Sequence, residues 1–219
     1  MIVEFDQYYI SQYKTLIEGR RAVYGVDGNE PETYYRKIIQ NAAKACIILD
    51  LKKDDSALEI GSGIGDISKL ISKTVKRLYC CDVNESLLSM AQVNCQDCTN
   101  VSFHCNLEHQ EKPLYFLENN SIDKVLASGV FEHCDTDTIL SYVKEVQRIL
   151  KPSGLFYLRF NKLEKYVIKS RPIVDHAKIL ETIKELNFKI EEHNIFVAIN
   201  IGPDRNKEIP IIILTLKKK

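Results

Sequence analysis

Ala57-Leu58-Glu59-Ile60-Gly61-Ser62-Gly63-Ile64-Gly65-Asp66 is an apolar run that ends in glycines at alternate positions, with a carboxylate two residues before the first. Ser56 to Ile60 is short, apolar and bounded by polar residues on one side and glycine on the other, the pattern of a central parallel strand. From Ile64 the apolar residues recur at Ile67, Leu70, Ile71 and Val75, which is the helical period. Glycine between the two admits positive φ and lets a ligand approach without a Cβ in the way, so the loop amides and the first N–H groups of the helix are expected to face that ligand. The dinucleotide fingerprint is G-x-G-x-x-G; here the third glycine comes one residue early and Asp66 stands in its place. No Gly-Lys-Ser/Thr follows, which excludes a P-loop. A glycine-rich turn is also ordinary turn chemistry, so the rest of the chain has to decide.

With 219 residues and 45% apolar content, the chain can bury one sizeable core. Thirty basic and thirty acidic residues cancel, which removes the usual electrostatic case for a nucleic-acid partner. The first twenty residues carry Glu4, Asp6, Lys14, Glu18 and Arg20 without an apolar core, so no signal peptide is expected, and no apolar run approaches a membrane span. Seven scattered cysteines suit a reducing, cytoplasmic setting. Cys95 and Cys98 have the spacing of a zinc pair, but His104 and Cys105 lie on a predicted strand and point to opposite faces, so no metal is expected.

Arg77 to Asp82 reads as a second apolar strand ending in a carboxylate. An aspartate there, beside a glycine loop, can accept two hydrogen bonds from the ribose of an adenosine ligand. It could equally cap the next helix, whose face is Leu87, Leu88 and Ala91, a task open to Asn84 as well. A third strand, Val101 to Cys105, ends at Asn106-Leu107, and a fourth, Ile122 to Ser128, leads into Gly129-Val130-Phe131-Glu132-His133. Asp135 or Thr136 then caps a helix with Ile139, Val143, Val146 and Leu150 on one face, and Lys151-Pro152-Ser153-Gly154 stops it ahead of a fifth strand, Leu155 to Phe160.

Glu59-x-Gly61-x-Gly63-x-Gly65 resembles motif I of the class I S-adenosylmethionine-dependent methyltransferases. The order D-K-V-L-A-S-G-V-F-E-H, an amphipathic helix, then R-I-L-K-P-S-G-L-F is similar to motif IV through post-motif II of the small-molecule methyltransferases, including the branch acting on quinone precursors, where Glu-His recurs. Ser153 departs from the more usual glycine, a change expected to matter little because Gly154 remains. The resemblance implies an α/β fold, a doubly wound, mostly parallel seven-stranded sheet with its last strand antiparallel. It implies S-adenosyl-L-methionine as cofactor, held by Glu59, Gly61, Ser62, Gly63 and Gly65, by Asp82 and Val83, by Asn106 and Leu107 at the adenine, and by Ser128. Asn106 is as readily a plain turn residue.

The reaction so implied is in-line displacement of a sulfonium methyl by an oxygen or nitrogen of a small-molecule acceptor, which needs mainly alignment. A base helps a hydroxyl acceptor, and His133 is the candidate, with Glu132 beside it; the pair could instead organise the loop. A non-catalytic S-adenosylmethionine-binding regulatory or partner subunit and a dinucleotide oxidoreductase are the competing readings. The resemblance covers residues 35 to 219, leaving residues 1–34 as an N-terminal helical cap or lid. There a helix is expected over Asp6 to Glu18, a link from Gly19 to Gly28, six tyrosines before residue 36, and Arg20 and Arg21 as candidate carboxylate holders. Pro31 opens a helix with Ile38, Ala42, Ala45 and Leu49 on one face, Pro172 another with Ile179, Leu180, Ile183 and Leu186, and the strands Phe188 to Asn200 and Ile209 to Leu216 close the sheet as a hairpin.

Overall fold

The computed structural model describes residues 31–161, 173–199 and 208–219, together with Thr15, Glu18 and Gly19. Most of the expected N-terminal cap, Arg20 and Arg21, Pro172 and the hairpin loop 201–207 lie outside the described residues. Seven strands form one sheet in the order β3-β2-β1-β4-β5-β7-β6. By its internal contacts the chain divides after Glu108 into two compact units.

In the unit ending at Glu108, helix α1 (Pro31–Ile48) buries Ile38, Ala42 and Ala45, with Leu49 just beyond it, the apolar face read from the sequence. It runs unbroken across residues 34 and 35. Strand β1 (Ser56–Ile60) is buried from Ala57 onward. It pairs in parallel with β2 (Arg77–Asp82), and β2 with β3 (Val101–Cys105). Helix α2 (Asp66–Ile71) and a 3-10 turn (Ser72–Thr74) connect β1 to β2, so the helix starts two residues later than its apolar period suggested. Gly65, its N-cap residue, sits at φ 76°, where a non-glycine residue is strained. Helix α3 (Glu85–Asn94) links β2 to β3. The helix expected over Asp6 to Glu18 does not run through Thr15, which lies in a bend. Thr15 and Glu18 form a capping box: Glu18 N–H donates to Thr15 Oγ1 and Thr15 N–H to the Glu18 carboxylate, and this pairing starts a helical turn rather than continuing one. Gly19 belongs to that turn and packs so closely that a Cβ there would lie 2.8 Å from Ile64 Cγ2.

In the unit from His109 onward, β4 (Ile122–Ala127) stops one residue short of Ser128 and pairs in parallel with β5 (Leu150–Asn161). Between them α4 (Thr136–Ile149) is capped by Asp135, whose Oδ1 accepts from Thr138 N–H at 2.8 Å, and buries Ile139, Leu140, Tyr142, Val143, Val146 and Ile149. The turn expected at Lys151–Gly154 is absorbed as an irregularity inside β5: Ile122 pairs with Leu150, yet Lys124 pairs with Leu155. The positive φ of that bulge, 66°, falls on Ser153 and not on Gly154. Gly154 is required for space, since a Cβ there would meet Leu150 Cδ2 and Lys151 O at 2.9 Å and Asp123 O at 3.0 Å. Helix α5 (His176–Glu185) is capped by Asp175 Oδ1, so an Asx cap and not Pro172 begins it; Ile179 and Ile183 are its buried residues. Strand β7 (Glu208–Lys218) runs antiparallel between β5 and β6 (Phe188–Ile199). Among the described residues no helix is long and apolar enough to cross a membrane.

Candidate functional site

The loop after β1 is shaped by three glycines at φ 73°, 53° and 76°, at positions 61, 63 and 65. Its amides are not left bare for a ligand, as the sequence suggested. Gly61 and Ser62 N–H both donate to Cys81 O (2.8 and 3.1 Å), Gly65 N–H to Ser62 O (3.0 Å), and Gly63 N–H to Asp82 Oδ2 (2.9 Å). The loop spends these donors on fastening itself to the end of β2. Ser62 Oγ is buried and has no hydrogen-bond partner among the described residues.

Asp82 is the hub. Its Oδ1 accepts from Asn84 N–H at 2.9 Å while Oδ2 accepts from Gly63, and the Val83 N–H also favours the carboxylate. Burial raises its pKa and these backbone donors hold it down. An ionised carboxylate offers about four acceptor sites, so room remains for an incoming hydroxyl. The helix that Asp82 could have capped is capped by Asn84, whose Oδ1 accepts from Leu87 N–H at 3.0 Å. Val83 O receives the Cys105 thiol (3.8 Å), and Asn106 N–H donates to Asp82 O (3.2 Å). Asn106 itself is fully buried, and Leu107 beside it is exposed.

Glu59 lies at the end of β1, 4% exposed, and accepts from Ser68 Oγ of α2. Burial, opposed by that hydrogen bond and aided by the charge of Asp82, pushes its carboxyl up to about 7. Two residues that sequence reasoning missed hold the loop from behind. Asn94 Nδ2 donates to Ile64 O (3.1 Å) and Asp66 Oδ1 (2.8 Å), and Cys95 Sγ donates to Gly65 O (3.4 Å). A Cβ on Gly65 would meet Ala91 Cβ at 3.0 Å and Cys95 Sγ at 3.1 Å. Their only signal was an amide and a thiol at the end of an apolar helix. The other residues of the zinc-like spacing are also engaged: Cys98 Sγ accepts from Ser72 Oγ at 3.4 Å, and His104 Nε2 lies 3.2 Å from Ser102 Oγ. Among the described residues no three metal-ligating side chains converge.

The unit from His109 holds the other candidates. Ser128 is half-buried after β4, and Gly129 follows at φ 82°. Phe131–His133 form a 3-10 turn whose Phe131 is buried edge-on against Tyr142, ring centres 5.3 Å apart. Glu132 is 2% exposed, with Oε1 2.5 Å from Arg159 Nε. Its carbonyl accepts from Asn161 Nδ2. His133 is half-buried, its N–H donating to Val130 O at 3.1 Å. Arg159 and Asn161 were also missed; a charge and an amide at alternate positions of an apolar strand were the available signal. His109, left without a role by the sequence, stacks on Tyr115 with ring centres 3.7 Å apart.

An adenosyl ligand fits this donor and acceptor set: a buried hydroxyl without a partner at Ser62 and a backbone-fixed carboxylate at Asp82 stand on the same loop junction. Residues 58–158 match the methyltransferase domain family. The C-methyltransferase UbiE of ubiquinone and menaquinone biosynthesis from Neisseria meningitidis serogroup C is 31% identical over 157 residues, an alignment covering 65% of this chain. The chain spans 62% of that relative's length. Among solved structures, a SAM-dependent methyltransferase of Leishmania major superposes with a TM-score of 0.66 at 15% identity, over 96% of this chain and 80% of its own. The [4+2]-cyclase SpnF superposes with a TM-score of 0.60 at 12% identity, over 82% of this chain and 80% of its own. At such identities the superpositions establish fold alone. The sheet order, the glycine loop and the matched segment agree, and in all three this chain is similar to the class I S-adenosylmethionine-dependent methyltransferases.

Proposed function

We propose that the chain transfers the methyl group of S-adenosylmethionine to an oxygen or nitrogen of a small metabolite. The observation that carries the reading is Asp82, locked by Gly63 and Asn84 N–H at the tip of β2 with acceptor capacity to spare. In this reading Asp82 takes the ribose hydroxyls, Ser62 Oγ supplies a further polar contact, and Gly61, Gly63, Gly65, Val83 and Leu107 shape the walls. Asn106 completes the cofactor set of this unit, while Glu59 acts through Ser68 to hold α2 under the loop. When bound, the cofactor supplies a methyl group on a positively charged sulfur, a leaving group that needs no acid. The protein's task is then to align the acceptor, and His133 removes its proton if a hydroxyl is methylated. Glu132 serves that histidine by anchoring the turn rather than by touching substrate.

Carbon as the methylated atom is the second reading, because the curated relative is by name a C-methyltransferase. A binding subunit without catalysis remains the alternative, and the cyclase neighbour is one fold relative whose name describes other chemistry. The zero net charge supports a small acceptor over nucleic acid, and seven free thiols support a reducing, cytoplasmic setting. Calorimetry with S-adenosylmethionine, S-adenosylhomocysteine and NADH tests the cofactor: both adenosyl compounds are expected to bind and NADH is not. Asp82→Ala should weaken adenosyl binding by about 1.5 to 3 kcal/mol, the worth of a hydrogen bond to a charged group. An unchanged dissociation constant would remove Asp82 from the site.

A further inference from the structure

We propose that Arg159 and Asn161 of β5 are positioning residues that set the Phe131–His133 turn, and through it the direction in which His133 faces the methyl acceptor. The proposal rests on the role of His133 given above and adds residues that no motif marks. Glu132 is held twice from one strand: Arg159 faces its carboxylate, and Asn161, itself fully buried, donates to its carbonyl. Residues two apart on a strand share a face about 7 Å apart. Side chain and main chain of a single turn residue are therefore referenced to one rigid surface. Tyr157, the next residue on that face, is buried, and burial raises the pKa of its hydroxyl, with Arg159 opposing the shift and Glu132 adding to it.

That face is well founded. Strand β5 is paired in parallel with β4 on one side and antiparallel with β7 on the other. Two links within the turn are local, His133 N–H to Val130 O and Cys134 Sγ to Val130 O, and these two fix its curl. The preceding Gly129 has nothing within 4 Å of where a Cβ would stand, so packing at that point does not aim the turn. The two β5 contacts hold Glu132 by both its side chain and its main chain and so contribute to that direction, beside the packing of Phe131 on Tyr142.

The test uses histidine-labelled full-length protein, with the His133 signal assigned by its loss in His133→Gln and S-adenosylhomocysteine affinity read by calorimetry. In Arg159→Met and in Asn161→Leu the His133 signal should shift or broaden, while those of His104, His109, His176 and His193 stay in place and S-adenosylhomocysteine affinity is unchanged. Arg159→Lys, which keeps a cation opposite Glu132, should bring the signal back toward its original position. A folded Arg159→Met protein with an unmoved His133 signal overturns the proposal. Should that variant unfold, Glu132→Gln/Arg159→Met removes both charges; recovered melting temperature with a displaced His133 signal is expected. Recovery of both would overturn the proposal, because the pair would then serve stability alone. Failure of the unaltered protein to bind S-adenosylhomocysteine is a separate outcome that strikes the cofactor assignment and leaves the His133 readout standing.

Discussion

Glu59 shows how a single residue can carry a pH dependence into the protein. An unfolded glutamate loses its proton near 4.5, whereas in the fold burial holds that proton up to about 7. Between those values the folded state binds a proton that the unfolded chain does not. Stability from this group is therefore fully present below about 4.5, falls as pH rises, and is lost above about 7, by up to about 3 kcal/mol. Urea midpoints of the unaltered protein and Glu59→Gln, measured at pH 5 and pH 8, check this. The substitution should flatten the fall, and parallel pH profiles would exclude Glu59 as its source. The same residue marks what the sequence could and could not tell. A carboxylate at the end of a strand, ahead of three glycines, was visible as part of a strand-to-helix loop. That its partner would be Ser68 was not visible, because the contact depends on how α2 turns over the strand. Asp82 was legible for a similar reason: strand end and residue type coincide. The use of the loop amides was misread, since a glycine turn reveals backbone freedom but not which carbonyls its N–H groups will meet.

At the level of elements, the bulge in β5 separates two jobs that a Gly-Gly pair would share. Ser153 takes the left-handed backbone and Gly154 takes the tight contact. Ser153→Gly should raise stability by up to about 1 kcal/mol through relief of the left-handed strain. Gly154→Ala should lower it by about 1 to 3 kcal/mol, because backbone oxygens stand where the methyl group would go. Chemical denaturation of the two variants decides both, and a neutral Gly154→Ala would show that the bulge can open. Element types were largely readable from period: β1, β2 and β3 have the bounds that their apolar runs and flanking residues imply, and α1 buries its expected face. Boundaries failed where a polar side chain decided them. Asp175 begins a helix that the proline signal would start at Pro172, and the Thr15–Glu18 pair begins a turn inside a segment that hydrophobic spacing alone would make one helix. Arg159 and Asn161 escaped notice because their partner, Glu132, is more than two dozen residues away in sequence and is joined to them by strand pairing alone.

For the whole molecule, the connectivity of the last three strands sets an order of assembly. Strand β7 lies between β5 and β6, although β6 precedes it in the chain. A nascent chain that has exposed Phe188–Ile199 has nowhere to lodge it until Glu208–Lys218 has also left the ribosome. Until then β5 presents an open row of amides and carbonyls to any neighbouring strand. Closure of the hairpin should therefore be a late, slow step in refolding, and protein concentration should cut the yield during that interval. Hydrogen exchange pulsed at successive refolding times would follow it, with β1 and β2 amides protected before those of β7. The strand that carries Arg159 and Asn161 would then be the one whose outer edge waits longest for its neighbour, so the ground under the Glu132 turn would be the last to set.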